Sequence, residues 1–250
     1  RGTTSQPSIS QLLDITDNSD PLNISMGNPG LKPSFTQNFR LFYNNFVQNH
    51  NKGIMTFVNF STTNNSISNK VTYDETTGGR ITRPENINGN WNAMGAFMFN
   101  CSIDSAGVWN INTGAHANYN NYVSYLSLDK KSDSQKNTTR SITWRQNLSF
   151  SYRNDWAEFS LDGTLTYNKA KNKLQPTSNL ETWQFSYGPS MTLTAPWGTS
   201  LNSSLSINSR RGYNDSSMNT DEFVWNAQLS QGFLKGKPLT IMLQFYDILR

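Results

Sequence analysis

The sequence has little of what most protein chemistry needs. It holds one cysteine and two histidines in 250 residues, so an internal disulfide framework is excluded and no metal-ligand spacing can be drawn. Its glycines form no phosphate-cradling pattern. No run of 18 apolar residues occurs, which excludes a transmembrane helix. Charge is sparse as well. Charged residues make up 15% of the chain and the net charge is only +4. The basic spots Lys130–Lys131, Lys169 to Lys173, Arg210–Arg211 and Lys235–Lys237 are scattered. A nucleic-acid surface needs one basic face interleaved with stacking aromatics, so no nucleic-acid partner is expected. The chain starts Arg1-Gly2-Thr3-Thr4, without the charged and apolar parts of a signal peptide, and is expected to be a mature chain or an excerpt.

What is present is alternation. From Thr182 to Ala195 one face carries Trp183, Phe185, Tyr187, Pro189, Met191, Leu193 and Ala195. The other carries Thr182, Gln184, Ser186, Gly188, Ser190, Thr192 and Thr194. A period of two over more than a dozen residues is a β-strand with one apolar face and one polar, uncharged face. Globular strands are usually about 5–6 residues long, whereas a strand that crosses a bilayer needs about 9–11. This stretch is long enough to cross. Pro189 interrupts the donor row mid-strand, and Gly188 beside it points to a bulge or bend.

The same pattern recurs along the chain, and it predicts about ten long antiparallel strands in meander order. They fall at Phe35–Phe46, from Gly53, Asn90–Ile103, Trp109–Tyr119, Ile142–Tyr152, Ala157–Tyr167, Thr182–Ala195, Leu201–Ile207, Phe223–Phe233 and Leu239–Phe245. The phase of the second is open, because Ile54, Val58 and Phe60 compete with Met55 and Phe57. Residues 1–34 read as a leading extracellular loop, 35–246 as strands and 247–250 as the start of a further loop, in one barrel domain spanning 1–250. Asn64 to Glu85 is polar, with Gly78-Gly79 as a hairpin tip. Other long connections are expected at 129–139, 168–181 and 209–221, and short ones at Val47–Lys52, Asp104–Gly107, Arg153–Asp155, Pro196–Gly198 and Leu234–Lys237.

Connections therefore alternate short and long, the asymmetry of outer-membrane barrels. Trp109, Tyr119, Tyr152, Trp156, Tyr167, Trp183 and Trp197 gather near strand ends, as interfacial aromatics do. The fold class expected is all-β: an antiparallel up-and-down transmembrane β-barrel segment facing outer-membrane lipid. A soluble β-sandwich that binds glycans through loop aromatics is the alternative, since it also buries one face of each sheet.

The polar faces carry few charges. Arg40, His116, Arg145, Glu158 and Asp162 are the candidate lumen-facing residues, pairing with one another or lining a solute route. His50 falls in a tight turn. A Ser–His–Asp trio drawn through His116 and Asp162 rests only on the abundance of serine, so neither an enzyme nor a cofactor is expected.

Residues Pro7 to Tyr43 resemble a known family. The order is Pro7, Leu12, Asn18-Ser19-Asp20-Pro21-Leu22, Ile24, Gly27-Asn28-Pro29 and Leu31-Lys32-Pro33, and then a strand with Phe39 and Tyr43. It is similar to the loop-into-strand segment in the C-terminal barrel of TonB-dependent receptors, nearest to the outer-membrane β-barrel family common in Bacteroidota. Leu239 to Arg250, with Tyr246-Asp247-Ile248-Leu249, resembles that family's penultimate strand and the loop after it. The resemblance implies location in the cell outer membrane and import of a small-molecule, oligosaccharide or peptide solute. It also implies coupling to the TonB energising complex through a plug domain. Neither a plug nor a coupling box lies in this sequence. Counting sides places the start of the first strand and the end of the tenth among the long loops. The expectation is then an open sheet, part of a larger barrel.

Overall fold

The computed structural model describes residues 1–48, 51–233 and 239–249. His50, the whole Leu234–Lys237 turn and Arg250 lie outside them. Among the described residues fifteen strands form two sheets. The larger has eleven: β1 (Gly2–Ser5), β4 (Ser34–Val47), β5 (Lys52–Asn64), β8 (Asn90–Ser102), β9 (Trp109–Leu126), β10 (Gln135–Arg153), β11 (Ala157–Asn172), β12 (Leu180–Thr194), β13 (Thr199–Arg211), β14 (Asp221–Phe233) and β15 (Leu239–Phe245). They neighbour one another in that order, every pairing is antiparallel, and β15 does not return to β4. The sheet is open. Ten of its strands are those expected from the alternation; β1 is the addition, covering only Ser34–Gln37 of the β4 edge.

Register settles which side chains share a face, because directly opposed residues point the same way. Phe39 opposes Phe60, Leu41 opposes Val58, and Ile54 opposes Phe99. The open phase of the second strand is therefore resolved: Ile54, Val58 and Phe60 join the apolar face, and Met55 and Phe57 take the other. Across the sheet this face continues through Phe150 and Leu161, Leu165 and Phe185, Tyr187 and Ile207, and Leu229 and Leu243.

Among the described residues nothing covers it. Their buried hydrophobic members are Leu31, Ile87, Val123 and Ala157, while Leu161 is 56% and Leu148 54% exposed. A sandwich would place a second sheet about 10 Å away and bury these side chains. No such layer exists among the described residues, and the sandwich alternative falls. A single sheet with a bare apolar face needs lipid as its solvent.

The band to be wetted by lipid has a measurable height. On β9 the outward rings run from Trp109 to Tyr119, on β11 the outward face runs from Ala157 to Tyr167, and on β12 from Leu193 to Trp183. Each span is a step of ten residues, about 33 Å along a strand and roughly 25 Å upright at a tilt near 40°. That matches the apolar belt of outer-membrane barrels. Rings mark both edges. Trp91 stacks on Tyr119 with centroids 5.0 Å apart, and Tyr167 meets Trp183 at 4.3 Å. At the other edge Trp109 lies 4.6 Å from Tyr152 and 5.3 Å from Phe150.

Three expectations need correction. First, residues 1–34 are not a plain loop. They hold β1, a one-turn helix α1 (Ile9–Leu12), β2 (Thr16–Asp17) and β3 (Asn23–Met26). β2 and β3 join β6 (Ser66–Tyr73) and β7 (Arg80–Ile87) in a four-stranded sheet, in the order β2-β3-β7-β6. The β3–β7 pair is parallel, which a meander does not contain. Strands this short carry too few residues to show alternation. The expected hairpin tip is correct: the turn Asp74–Gly79 joins β6 to β7. Second, the hairpins reach beyond the membrane. β9 runs to Leu126 and β10 starts at Gln135, inside the expected 129–139 loop. The expected loops 168–181 and 209–221 contract similarly to 173–179 and 212–220. Above the lipid the faces are polar or mixed, so the sequence signal vanishes while the ladder continues.

Third, Gly188-Pro189 is not a bulge. Tyr187 pairs with Ile207 and Ser190 with Ser204 in the same register, so no residue is inserted; pairing to β13 lapses only between them. The β11 side is continuous. The missing Pro189 donor thus falls on the β13 side, where a Cβ on Gly188 would lie 1.8 Å from the Leu205 carbonyl oxygen. Glycine permits the backbones to close over the gap that proline leaves.

Candidate functional site on the lumen face

The polar face of the sheet is built by the same registers. One transverse row reads Phe42, Phe57, Ala96, His116, Arg145, Thr166, Gln184, Arg210. Strands in a barrel tilt, so such a row changes depth as it crosses them. At β13 it sits at the mouth, since Arg210 adjoins Arg211, the last residue of the strand. At β4 it is deeper, because Phe42 lies eight residues below Ser34, the start of the strand.

The expected lumen residues do not converge on one point. His116 and Arg145 are directly opposed on β9 and β10. Arg40 is three strands from β9, and its Nε donates to Asn59 Oδ1 at 3.3 Å. Glu158 sits at the short-turn end, where Arg153 Nε approaches its carboxylate at 3.3 Å. That pair is exposed and structural. Asp162 accepts from Ser160 Oγ at 2.6 Å, and Ser160 in turn meets Ser190 Oγ at 2.7 Å. Asp162 opposes Ser149, four residues along β10 from Arg145. It therefore lies about 16 Å from His116, from two inter-strand steps and four residues of rise.

Two features escaped the sequence reading. The first is a charged cleft of ≈ 500 Å³ between β10 and β14, lined by Arg145, Thr166, Gln184, Asn208, Arg210 and Glu222. Arg210 falls within the loop expected at 209–221, and the structure puts it on β13. Extending the phase of Ser204, Ser206 and Asn208 by one step would have placed it on the wall. Gln184 Nε2 donates to the hydroxyl of Tyr213 at the lip of this cleft. Among the described residues no ion pair engages Arg145, Arg210 or Glu222.

The second feature is apolar. Phe42 opposes Phe57, and Asn44 opposes Met55, which opposes Met98. Phe42, Phe46 and Met98 are 63%, 62% and 53% exposed on the face that elsewhere carries Asn, Ser and Thr. The signal was present in Phe42 and Phe46, which are out of phase with Phe39, Leu41 and Tyr43.

At the rim, the small sheet is tied to the barrel by backbone groups. Ser134 N donates to Val71 O at 2.7 Å, and Tyr125 N to Ser68 Oγ at 3.1 Å. The Gly27-Asn28-Pro29 stretch is its joint. Asn28 Nδ2 donates to Pro84 O at 2.8 Å, and its Oδ1 accepts from Arg83 at 3.1 Å. A Cβ on Gly27 would lie 1.7 Å from the Leu13 carbonyl oxygen. The stretch that carried the family resemblance is thus a structural seam at the long-loop end.

Compared with known protein families, residues 1–157 match the outer membrane protein beta-barrel family. The chain belongs to that family. Membership agrees with the bare apolar face, the two ring girdles and the alternating connections, and it places the protein in the outer membrane. The match covers the rim sheet and the strands through β10. No curated protein and no solved structure matches the chain. In a barrel of this family the long connections face the cell exterior and the short turns the periplasm. The cleft of Arg145 and Arg210 then opens near the outer mouth.

Proposed function

We propose that this chain forms the wall of a gated outer-membrane receptor that imports a solute too large or too scarce for open porins, energised by the TonB complex through a plug domain. The observation that carries this reading is the apolar patch of Phe42, Phe46, Met55, Phe57 and Met98 on the lumen side. A wall that met only water would have no use for it. Exposed apolar patches mark surfaces that another body covers. A folded plug inside the barrel is such a body, and it is what the resemblance of Pro7 to Tyr43 implies.

The open edges support the same reading. Phe39–Val47 of β4 and all of β15 have no second neighbour among the described residues. Backbone N–H and C=O groups cannot stay unpaired in lipid, so further strands close the barrel at both edges. Catalysis is not part of the proposal: His116 faces Arg145, and Asp162 is held by Ser160 well away from it.

The test is uptake by cells that carry the full-length protein. Accumulation of its solute should stop when the TonB complex is deleted and when the proton gradient is collapsed. Equal accumulation in deleted cells would refute energised import.

A further inference from the structure

The charged cleft has a composition that selects among solutes. Its floor is built of hydroxyl and amide side chains, Thr166, Gln184 and Asn208, which donate and accept hydrogen bonds alike. Arg145 stands on one side and Arg210 on the other, separated by β11 and β12. Three inter-strand steps put their backbones about 14 Å apart, and the side chains reach toward the same cavity. Neither guanidinium is in an ion pair with any described residue. Arg40 and Arg140 of the same wall are also outside ion pairs, but each donates to an asparagine, Asn59 and Asn121. Arg145 and Arg210 differ in facing one polar cavity together.

We propose that this cleft is a selectivity site for a hydroxylated solute carrying an oxyanion, a carboxylate or a phosphate. An arginine fork matches the oxygens of either group through two parallel N–H···O bonds. Thr166, Gln184 and Asn208 meet the uncharged part of the solute. Tyr213, held by Gln184, stands at the outer lip. Glu222, the remaining charge in the cleft, opposes Asn208 and excludes a second anionic group from that corner. His116, opposite Arg145, supplies a further polar group on the approach from β9. The row that passes through the cleft at the mouth ends deeper down at Phe42. An acidic solute caught at Arg145 and Arg210 is thus held above the apolar patch. This assignment rests on the import reading, which it narrows to acidic solutes.

The test uses the full-length protein in outer-membrane vesicles, with citrate, inorganic phosphate and neutral maltotriose as probes in calorimetric titration. Citrate or phosphate should bind and maltotriose should not; the stronger of the two identifies the oxyanion. Arg145→Gln and Arg210→Gln should each weaken that binding by roughly tenfold or more, the loss expected for a charge-assisted hydrogen bond. Arg153→Gln, which lies at the periplasmic end in a pair with Glu158, should leave it unchanged. Retained heat-modifiable gel mobility shows that each variant is folded. Binding unaffected by both arginine variants, or binding of maltotriose alone, overturns the acidic assignment. The import reading is scored separately by TonB-dependent uptake in cells, so either can fail without the other.

Discussion

Tyr167 and Trp183 are cross-strand partners whose ring centroids lie 4.3 Å apart, and two residues further along the same strands Lys169 and Glu181 form an ion pair of 2.6 Å. Ring and charge adjoin on one outward face. The next pair of strands repeats the step, with Arg211 meeting Asp221 at 2.7 Å. Lipid ends between the rings and the charges. Because the rings hold the lipid boundary and the ions face water, Trp183→Ala should lower stability by about 1–3 kcal/mol. Lys169→Ala should leave it unchanged, since an exposed pair gives little. Urea unfolding of the protein folded into lipid vesicles measures both.

Adjacent residues on one strand should respond oppositely to the same charge. Leu205 opposes Trp225 on the apolar face, and Ser204 opposes Asn226 on the polar one. Leu205→Arg should destabilise by about 2–4 kcal/mol, the loss for an arginine facing the bilayer interior, while Ser204→Arg should have little effect. The same unfolding measurement separates them.

The membrane-crossing parts of this architecture were legible in the sequence because lipid on one side and water on the other write a period of two. Where that asymmetry ends, legibility ended too. The outer reaches of β9 and β10, from Asn120 to Leu126 and from Gln135 to Ser141, are polar or mixed on both faces and read as loop. β2 and β3 are too short to show a period, and the pairing of β3 with β7 joins residues about 60 positions apart in sequence. In the lumen, Arg145 and His116 were legible as polar-face residues. That Arg210 joins Arg145 in one cleft depends on the registers of three strand pairs, which composition does not encode.

The rim seam predicts a local defect. Gly27→Ala places a methyl 1.7 Å from the Leu13 carbonyl oxygen, so α1 and β3 must separate. Hydrogen exchange should accelerate across Ile9–Met26 while β9 to β12 stay protected. Unchanged protection at the rim would show that the seam yields without opening.

Acid should loosen the β8–β9 turn. Asp104 is held below the ordinary aspartate range by backbone N–H donors, Trp109 first at 2.7 Å and Val108 at 3.1 Å. A depressed folded value means the contribution is complete above the unfolded pKa, about 3.9, and is lost as pH falls through the folded one. Local exchange of the Val108 and Trp109 amides should therefore rise below about pH 4. Asp104→Asn should remove that pH dependence, which amide exchange followed by NMR would detect.

The central claim is that one sheet separates lipid from lumen, and β12 tests it most directly. In a Cys101→Ser background, single cysteines at positions 182 to 194 would be exposed in vesicles to a water-soluble thiol reagent. The account predicts a period of two: reaction at Gln184, Ser186, Ser190 and Thr192, and protection at Phe185, Tyr187, Met191 and Leu193. Reaction at every position, or protection on the polar face instead, would contradict it.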